Sequence, residues 1–285
     1  MQPNRRLSGN DDSPNTVDGA PYPNLSHAQS ALIRDLLCNK RARTERGLFV
    51  VEGARSCLDL IRRYPDSIVN LTLAARYLKE EDDRGRSIRS GLLTRQFVCT
   101  DSIFEKLTDV AAPQGMLAIV KQPRWEESRV LGAGKVLGVY GDRLRDPANV
   151  GAIIRTVAAL SLSALWLSTD SADQFGPKVV RAAAGTILSI PIFRIPNPQS
   201  FLQHHCTIYS ALVPSRDTMT LTDLRSVPRR LVIAVGNEGE GLDAKIVKLS
   251  AVRFAIPLAE GVDSLNVAAA VAISAFYLRD LPITS

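Results

Sequence analysis

Two apolar spacings alternate along most of this chain. Short unbroken runs closed by glycine or a polar residue predict buried strands: "GLFVVEG", "IVNLTLAA", "RQFVCT", "GMLAIVK", "KVLGVYG", "SALWLS", "HCTIYSALV", "RLVIAVG" and "VRFAIPL". Between them, apolar residues recur at helical spacing. "SHAQSALIRDLLCNK" carries Ala31, Leu32, Leu36 and Leu37, and "NVGAIIRTVAAL" puts Val150, Ile153, Ile154 and Val157 on one face. "ARSCLDLIRRY", "DSIFEKLTDV", "GPKVVRAAAGT", "LDAKIVKLS" and "SLNVAAAVAISAFYL" read as further helices. Expected caps are Asp101 or Ser102, Asn149, and Asp263 or Ser264, with Pro177 in a first turn.

The pattern divides the chain into four parts. Residues 1–24 are polar and rich in Pro, Asn, Asp and Gly, which predicts a disordered tail. Residues 25–123 mix helices and strands in a small α/β domain. "KQPRWEESRVLGAGK" reads as a polar linker over 124–135. In 136–285 strands alternate regularly with helices, which predicts a parallel sheet covered by helices on both faces.

Composition adds little to this division. The 285 residues are 45% hydrophobic and 22% charged, an ordinary globular balance. A net charge of +6 points weakly to a polyanionic partner. Cys38, Cys57, Cys99 and Cys206 form no CxxC pair, which fits idle thiols in a reducing compartment. "HHC" at 204–206 is a poor chelate, because adjacent side chains of a strand point to opposite faces, so no metal site is expected. No run reaches the roughly 18 apolar residues of a membrane span, and the start lacks the apolar core of a secretory signal. The expected location is the cytoplasm.

The chemistry is expected at three loops that follow strands, "GDRLRDPANVG", "GNEGEGL" and "IPLAEGVDSLNVA". In the second, Gly236, Gly239 and Gly241 allow close backbone approach. The spacing is GxxGxG, neither a Walker loop nor GxGxxG. Glu238 and Glu240 would repel a pyrophosphate, whereas a cationic ligand with adenosine and no phosphate suits them. The plain alternative is a tight turn with exposed acids. Asn266, a polar amide among apolar neighbours, calls for a partner. Arg155 is either a surface arginine or a side chain given room to reach out by Gly151 and Ala159. "NKRARTERG", with Lys40, Arg41, Arg43 and Arg46, is either a solvated loop or a phosphate-contacting segment. Lys178 and Arg181 form a second basic pair.

Taken together, "DPANVGAIIRTVAAL", "AVGNEGEGL" and "IPLAEGVDSLNVAAAVAI" resemble, in order and separation, the three motifs of the SpoU/TrmH family of RNA ribose 2′-O-methyltransferases, within the SPOUT superfamily. "GLFVVEGARSCLDLI" and "PQGMLAIV" resemble more loosely the family's N-terminal substrate-binding domain. The resemblance implies an α/β parallel-sheet domain with a deep trefoil knot, plus a smaller N-terminal α/β RNA-binding domain. It implies a homodimer pairing through knot helices, where the face from Ala268 to Ala272 tolerates close packing. S-adenosylmethionine would be held by Ala234, Val235, Gly236, Gly241, Ile256, Leu258 and Leu265.

Arg155, Asn149, Glu238, Ser264 and Asn266 match the family's catalytic positions. A guanidinium, with a pKa above about 12, is an awkward base. Arg155 is therefore expected to bind the target phosphate and polarise the 2′-oxygen, with proton removal unassigned. Asp263 stands where the family often has a small residue. Large-subunit ribosomal RNA is the expected substrate. Transfer RNA, a catalytically silent RNA-binding protein on the same fold, an ATP- or NAD-binding enzyme, and methylation of a base or a protein are the rivals.

Overall fold

The computed structural model describes residues 17, 20, 22–83 and 95–284. Most of the expected tail over 1–24 lies outside them. The chain divides into two compact units, one of residues up to Ala42 with Val50–Lys121, the other of Arg43–Phe49 with Gln122–Ser285.

The first unit is built from α1 (His27–Cys38), α2 (Lys40–Arg46), β1 (Leu48–Glu52), α3 (Ala54–Arg63), β2 (Ile68–Ala74), α4 (Ala75–Asp83), β3 (Arg95–Cys99), α5 (Asp101–Lys106) and β4 (Met116–Lys121), with α2 and β1 running across the division. Its sheet has the order β1-β4-β2-β3, with β2 parallel to β3 and antiparallel to β4. Ser26 and Gln29 form a reciprocal capping box at the start of α1. α1 buries Ser30, Ile33 and Leu36, a face offset from the one expected. α2 replaces an expected loop: Asn39 Oδ1 accepts from the Arg41 and Ala42 amides and starts a short helix. Neither expected cap serves α5. Thr100 is its N-cap residue, and Asp101 Oδ1 accepts from the Arg76 amide instead.

The second unit comprises α6 (Glu127–Leu131), β5 (Val136–Gly141), α7 (Pro147–Ala159), β6 (Leu165–Ser168), α8 (Pro177–Ala182), β7 (Ile192–Ile195), α9 (Gln199–Gln203), β8 (Thr207–Leu212), β9 (Met219–Thr220), β10 (Arg230–Val235), α10 (Ala244–Leu249), β11 (Val252–Ala255) and α11 (Val267–Arg279). Its seven strands are all parallel, in the order β7-β6-β5-β10-β8-β11-β9. From β5 the chain steps outward to β6 and β7, then crosses to β8 and returns to insert β10 between β5 and β8. Sheets that reverse direction in this way open a crevice at the carboxyl ends of the strands beside the reversal.

The expected linker over 124–135 belongs to this second unit. Leu131 sits in the core with Trp166, Tyr140 and Phe201, and Glu127 accepts from the Trp166 indole at 2.9 Å. Its polar sequence hides a buried apolar anchor, with the partly buried Val130 beside it, on a single helical turn.

Candidate active site

β10 ends at Val235, and the chain turns through residues 236–241 back toward itself. A Cβ on Gly236 would lie 2.2 Å from the Gly241 carbonyl carbon, so only glycine lets the loop close. Gly241 has φ +68° and donates its amide to Asn237 O at 2.8 Å. The Asn237 side chain accepts from the Gly239 and Glu240 amides, so the loop folds around one asparagine.

The two glutamates of this loop have separate partners. Glu238 accepts from Asn149 Nδ2 and, at 3.3 Å, from Asn266 Nδ2. Asn266 Nδ2 also donates to Asn149 Oδ1 at 2.8 Å. One residue from each of the three motif segments therefore meets in a closed hydrogen-bonded triangle. The expected caps are corrected here. Asp146 caps α7, with Pro147 in its first turn, and this frees the buried Asn149 to point at Glu238. Asn266, not Asp263 or Ser264, caps α11, accepting from the Ala268 and Ala269 amides. Its amide nitrogen serves the triangle while its oxygen serves the helix, which supplies the partners its setting called for.

Glu240 faces the loop after β5. Its two oxygens pair with Arg143 and, at 3.0 Å, with Arg145. Arg143 stands at φ 52° and reaches Asp142 Oδ2 at 3.1 Å and the Gly241 carbonyl at 3.2 Å. Its hydrogen bond to Asp142 leads the effects that raise the Arg143 pKa, with the Asp142 and Glu240 charges adding to it against its desolvation. Asp142 also accepts from the Asp243 amide at 3.0 Å, so the same carboxylate starts the stretch leading into α10.

A cavity of about 470 Å³ opens at the carboxyl ends of β8, β10 and β11. Val235, Gly236, Gly241, Ile256, Leu258 and Leu265 line it, as do Glu238 and Ser264. Ala234, expected beside them, is buried within β10 and is absent from the lining. The sequence reading missed the wall formed by residues 211–215, the last two residues of β8 and the three beyond it, whose signal was the strand itself. It also missed Val267 and Ala270 on the first turns of α11. The walls combine apolar side chains with glycine backbone, and among the described residues no lysine or arginine lines them. That donor set fits an adenosine with a cationic sulfonium and lacks the side-chain cations that usually meet a pyrophosphate.

Arg155 projects from the exposed side of α7, does not line the cavity, and makes no hydrogen bond or ion pair with the described residues. Gly151 does not make room for it: a Cβ there would lie 2.3 Å from the Ala182 Cβ, so this glycine brings α7 against α8. Ser264 and Asp263 are exposed on the approach to α11. Lys178 is exposed and Arg181 half-buried on α8. Lys40, Arg41 and Arg46 are exposed on α2. Arg43 departs from the expected basic surface. It is 6% exposed and its guanidinium pairs with Asp173 at 2.8 Å, so it is committed to packing within the second unit. Among the described residues no group of His, Cys, Asp or Glu is placed to hold a metal ion, and the Cys206 thiol turns back to the His204 carbonyl.

Two family models match this chain. Residues 137–276 match the SpoU rRNA Methylase family and residues 33–118 the MRM3-like substrate binding domain. The 23S rRNA (guanosine(2553)-2′-O)-methyltransferase of Bacillus subtilis is 28% identical over 90% of this chain and 98% of its own length. The 23S rRNA (uridine(2479)-2′-O)-methyltransferase of Streptomyces viridochromogenes is 29% identical over 82% of this chain and 83% of its own. A solved TrmH-family structure from Porphyromonas gingivalis superposes with a TM-score of 0.74 at 25% identity, covering 90% of this chain and 98% of that one. An AdoMet-bound rRNA methyltransferase from Sinorhizobium meliloti shares the fold, at TM-score 0.73 and 24% identity over 90% of this chain and 96% of that one. The order of the three motif segments, their meeting at Asn149, Glu238 and Asn266, and the two matched domains show that this chain belongs to the SpoU family of RNA methylases.

Proposed function

We propose that this protein methylates a ribose 2′-hydroxyl of RNA, in large-subunit ribosomal RNA, with S-adenosylmethionine as methyl donor. The observation that carries the reading is the cavity walled by the glycine loop, whose Glu238 both lines it and joins the Asn149–Glu238–Asn266 triangle. The names of the relatives favour ribosomal over transfer RNA.

S-adenosylmethionine supplies an electrophilic methyl group on a sulfonium. The apolar side chains of Val235, Ile256, Leu258 and Leu265 are suited to adenine, and the backbone around Gly236 to polar contacts at close range. Glu238 keeps the loop against α7 and α11. Arg155 is assigned to the RNA: its guanidinium binds the target phosphate and polarises the 2′-oxygen. Ser264, at the cavity edge, orients the nucleotide. Lys40, Arg41, Arg46, Lys178 and Arg181 contribute backbone contacts.

A homodimer is part of this reading. α11 carries Ile273 and Phe276 with 43% and 58% of their surface exposed, a pair of large apolar groups on the helix expected to meet a second copy. The family's trefoil knot, with its threaded C-terminal segment, is part of the same reading. The site uses no metal. Among the described residues no helix is long and apolar enough to cross a membrane, and the four free cysteines suit the cytoplasm.

The test has three parts. Calorimetry with S-adenosylhomocysteine should give one site per chain, unchanged by chelator, and Arg155→Ala should bind it as the wild type does. Methyl transfer by that variant should fall at least about 100-fold. Mass mapping of ribosomal RNA from a strain lacking the gene should reveal one missing ribose methyl. Near-normal turnover by the variant would move catalysis elsewhere, and tight ATP binding in place of S-adenosylhomocysteine would end the reading.

A further inference from the structure

The glycine loop poses a mechanical problem. Gly239, Glu240 and Gly241 are exposed, and nothing lies within 4 Å of the Cβ position at Gly241. A wall of a binding cavity made from exposed glycine backbone has little packing to hold its shape, and glycine has the most conformational freedom to lose on ordering. Asn237 orders the turn from inside, and the triangle holds Glu238. The outer limb, Glu240–Gly241, is gripped from the loop after β5.

Arg143 is built to do this. Its backbone is fixed on three sides. Its amide donates to Ser168 Oγ at 2.8 Å, its carbonyl accepts from Asn237 Nδ2 at 3.1 Å, and the next amide, of Leu144, donates to Ser171 Oγ at 3.1 Å. Asp142, 5% exposed, braces the guanidinium from behind. The fork then spans Glu240 and the Gly241 carbonyl, holding side chain and backbone of one limb at once. Asp142 and Glu240 balance Arg143 and Arg145, so this grip adds no net positive charge beside a site meant for a sulfonium.

We propose that Arg143 is a positioning residue for the methyl donor, fixing the outer limb of the glycine loop through Glu240 and the Gly241 carbonyl and so setting cofactor affinity. The inference rests on the reading of the cavity as the S-adenosylmethionine site. Arg143 touches no reacting atom. Removing it therefore acts on binding, and the chemical step survives once the site is filled.

The experiment uses the full chain, with S-adenosylhomocysteine as calorimetric probe and methyl transfer to ribosomal RNA as activity. Arg143→Ala and Glu240→Gln should each raise the Kd about 10-fold, and the double variant little further, since both break the same ion pair. The KM for the donor should rise in step, with kcat at saturating donor within about 3-fold of wild type. Arg143→Lys keeps the charge without the fork and should fall between. Raising sodium chloride should weaken binding in the wild type and leave Glu240→Gln flat, a response that a general loosening of packing does not give. Absence of binding by the wild type would sink the cavity assignment and this inference together. Wild-type binding with unchanged Kd in Arg143→Ala and Glu240→Gln would overturn the inference alone, as would a fall in kcat with KM unmoved.

Discussion

Replacing Asn266 by alanine removes a helix cap and a tertiary hydrogen bond in one step. The cap, received by the Ala268 and Ala269 amides, contributes about 1 kcal/mol. The bond from Nδ2 to Asn149 Oδ1 contributes about another 1 kcal/mol, and breaking it deprives an acceptor on a residue only 7% exposed. The hydrogen bond to Glu238 is longer, at 3.3 Å, and adds less. The sum is about 2–3 kcal/mol, which for a unit of this size lowers Tm by about 5–10 °C. Asn266→Ser keeps a capping oxygen and should recover about 1 kcal/mol of that deficit. Scanning calorimetry of Asn266→Ala, Asn266→Ser, Asn149→Ala and the double alanine variant tests the assignment. The double variant should be less destabilised than the sum of its parts, because both single changes break the same bond. A Tm within about 1 °C of wild type in Asn266→Ala, or a strictly additive cycle, would refute the triangle as a structural unit.

Gly236→Ala places a methyl against the Gly241 backbone and should cut S-adenosylhomocysteine affinity by about 100-fold or more, with the first unit's folding unaffected; calorimetry reads it, and near-normal affinity would show that the loop can reopen. Changing Lys40, Arg41 and Arg46 together to Ala should flatten the log–log salt slope of RNA binding by roughly 0.7 to 0.9 for each phosphate no longer neutralised, while Arg43→Ala should instead lower Tm, because it strips a partner from Asp173. An unchanged slope would shift the RNA surface to Lys178 and Arg181. Burial, the largest cause in each case, raises the Cys57, Cys99 and Cys206 thiols, with Cys99 pushed up to about 12, so at pH 8 only the exposed Cys38 should react rapidly with iodoacetamide. The native state keeps these protons where the unfolded chain releases them. Stability should therefore fall as pH rises from the ordinary thiol range of about 8.5 toward 12, and a flat profile there would contradict the burial.

Local sequence was enough wherever an element's own residues decide it. The strands that form β5, β8 and β10 are apolar runs that can satisfy neither water nor a half-exposed sheet, and they become neighbouring strands of a parallel sheet. Val150, Ile153, Ile154 and Val157 form the buried side of α7 as their spacing requires. Elements too short or too polar to show a period escaped. β7 and β9 are four and two residues long. α2 is a helix of charged residues started by Asn39, and α6 carries its buried anchor Leu131 inside a polar stretch. On α1 the spacing pointed to Ala31, Leu32, Leu36 and Leu37. Packing turned Ile33 and Leu36 inward.

The site divides along the same line. Gly236, the glutamates and Asn266 stand out in the sequence because each breaks a local rule: too many glycines after a strand, acids in a glycine loop, an amide among apolar residues. Their partners are set by positions 89 and 117 residues apart, which no local spacing encodes. Asn149 looked like a cap, yet Asp146 and Pro147 take the helix start and leave its amide for Glu238. Arg43 looked like a phosphate ligand, yet Asp173, 130 residues away, holds it in the interior. Arg143 lay in one of the three loops where chemistry was expected but carried no signal of its own, since an arginine after a strand is ordinary until the fold brings Glu240 and Gly241 to it. Strands, long helices and tight turns could be read along the chain because they depend on neighbours a few residues away. The pairing of polar groups could not, because a hydrogen bond or ion pair needs a partner within about 3 Å, and only the completed fold brings distant segments that close.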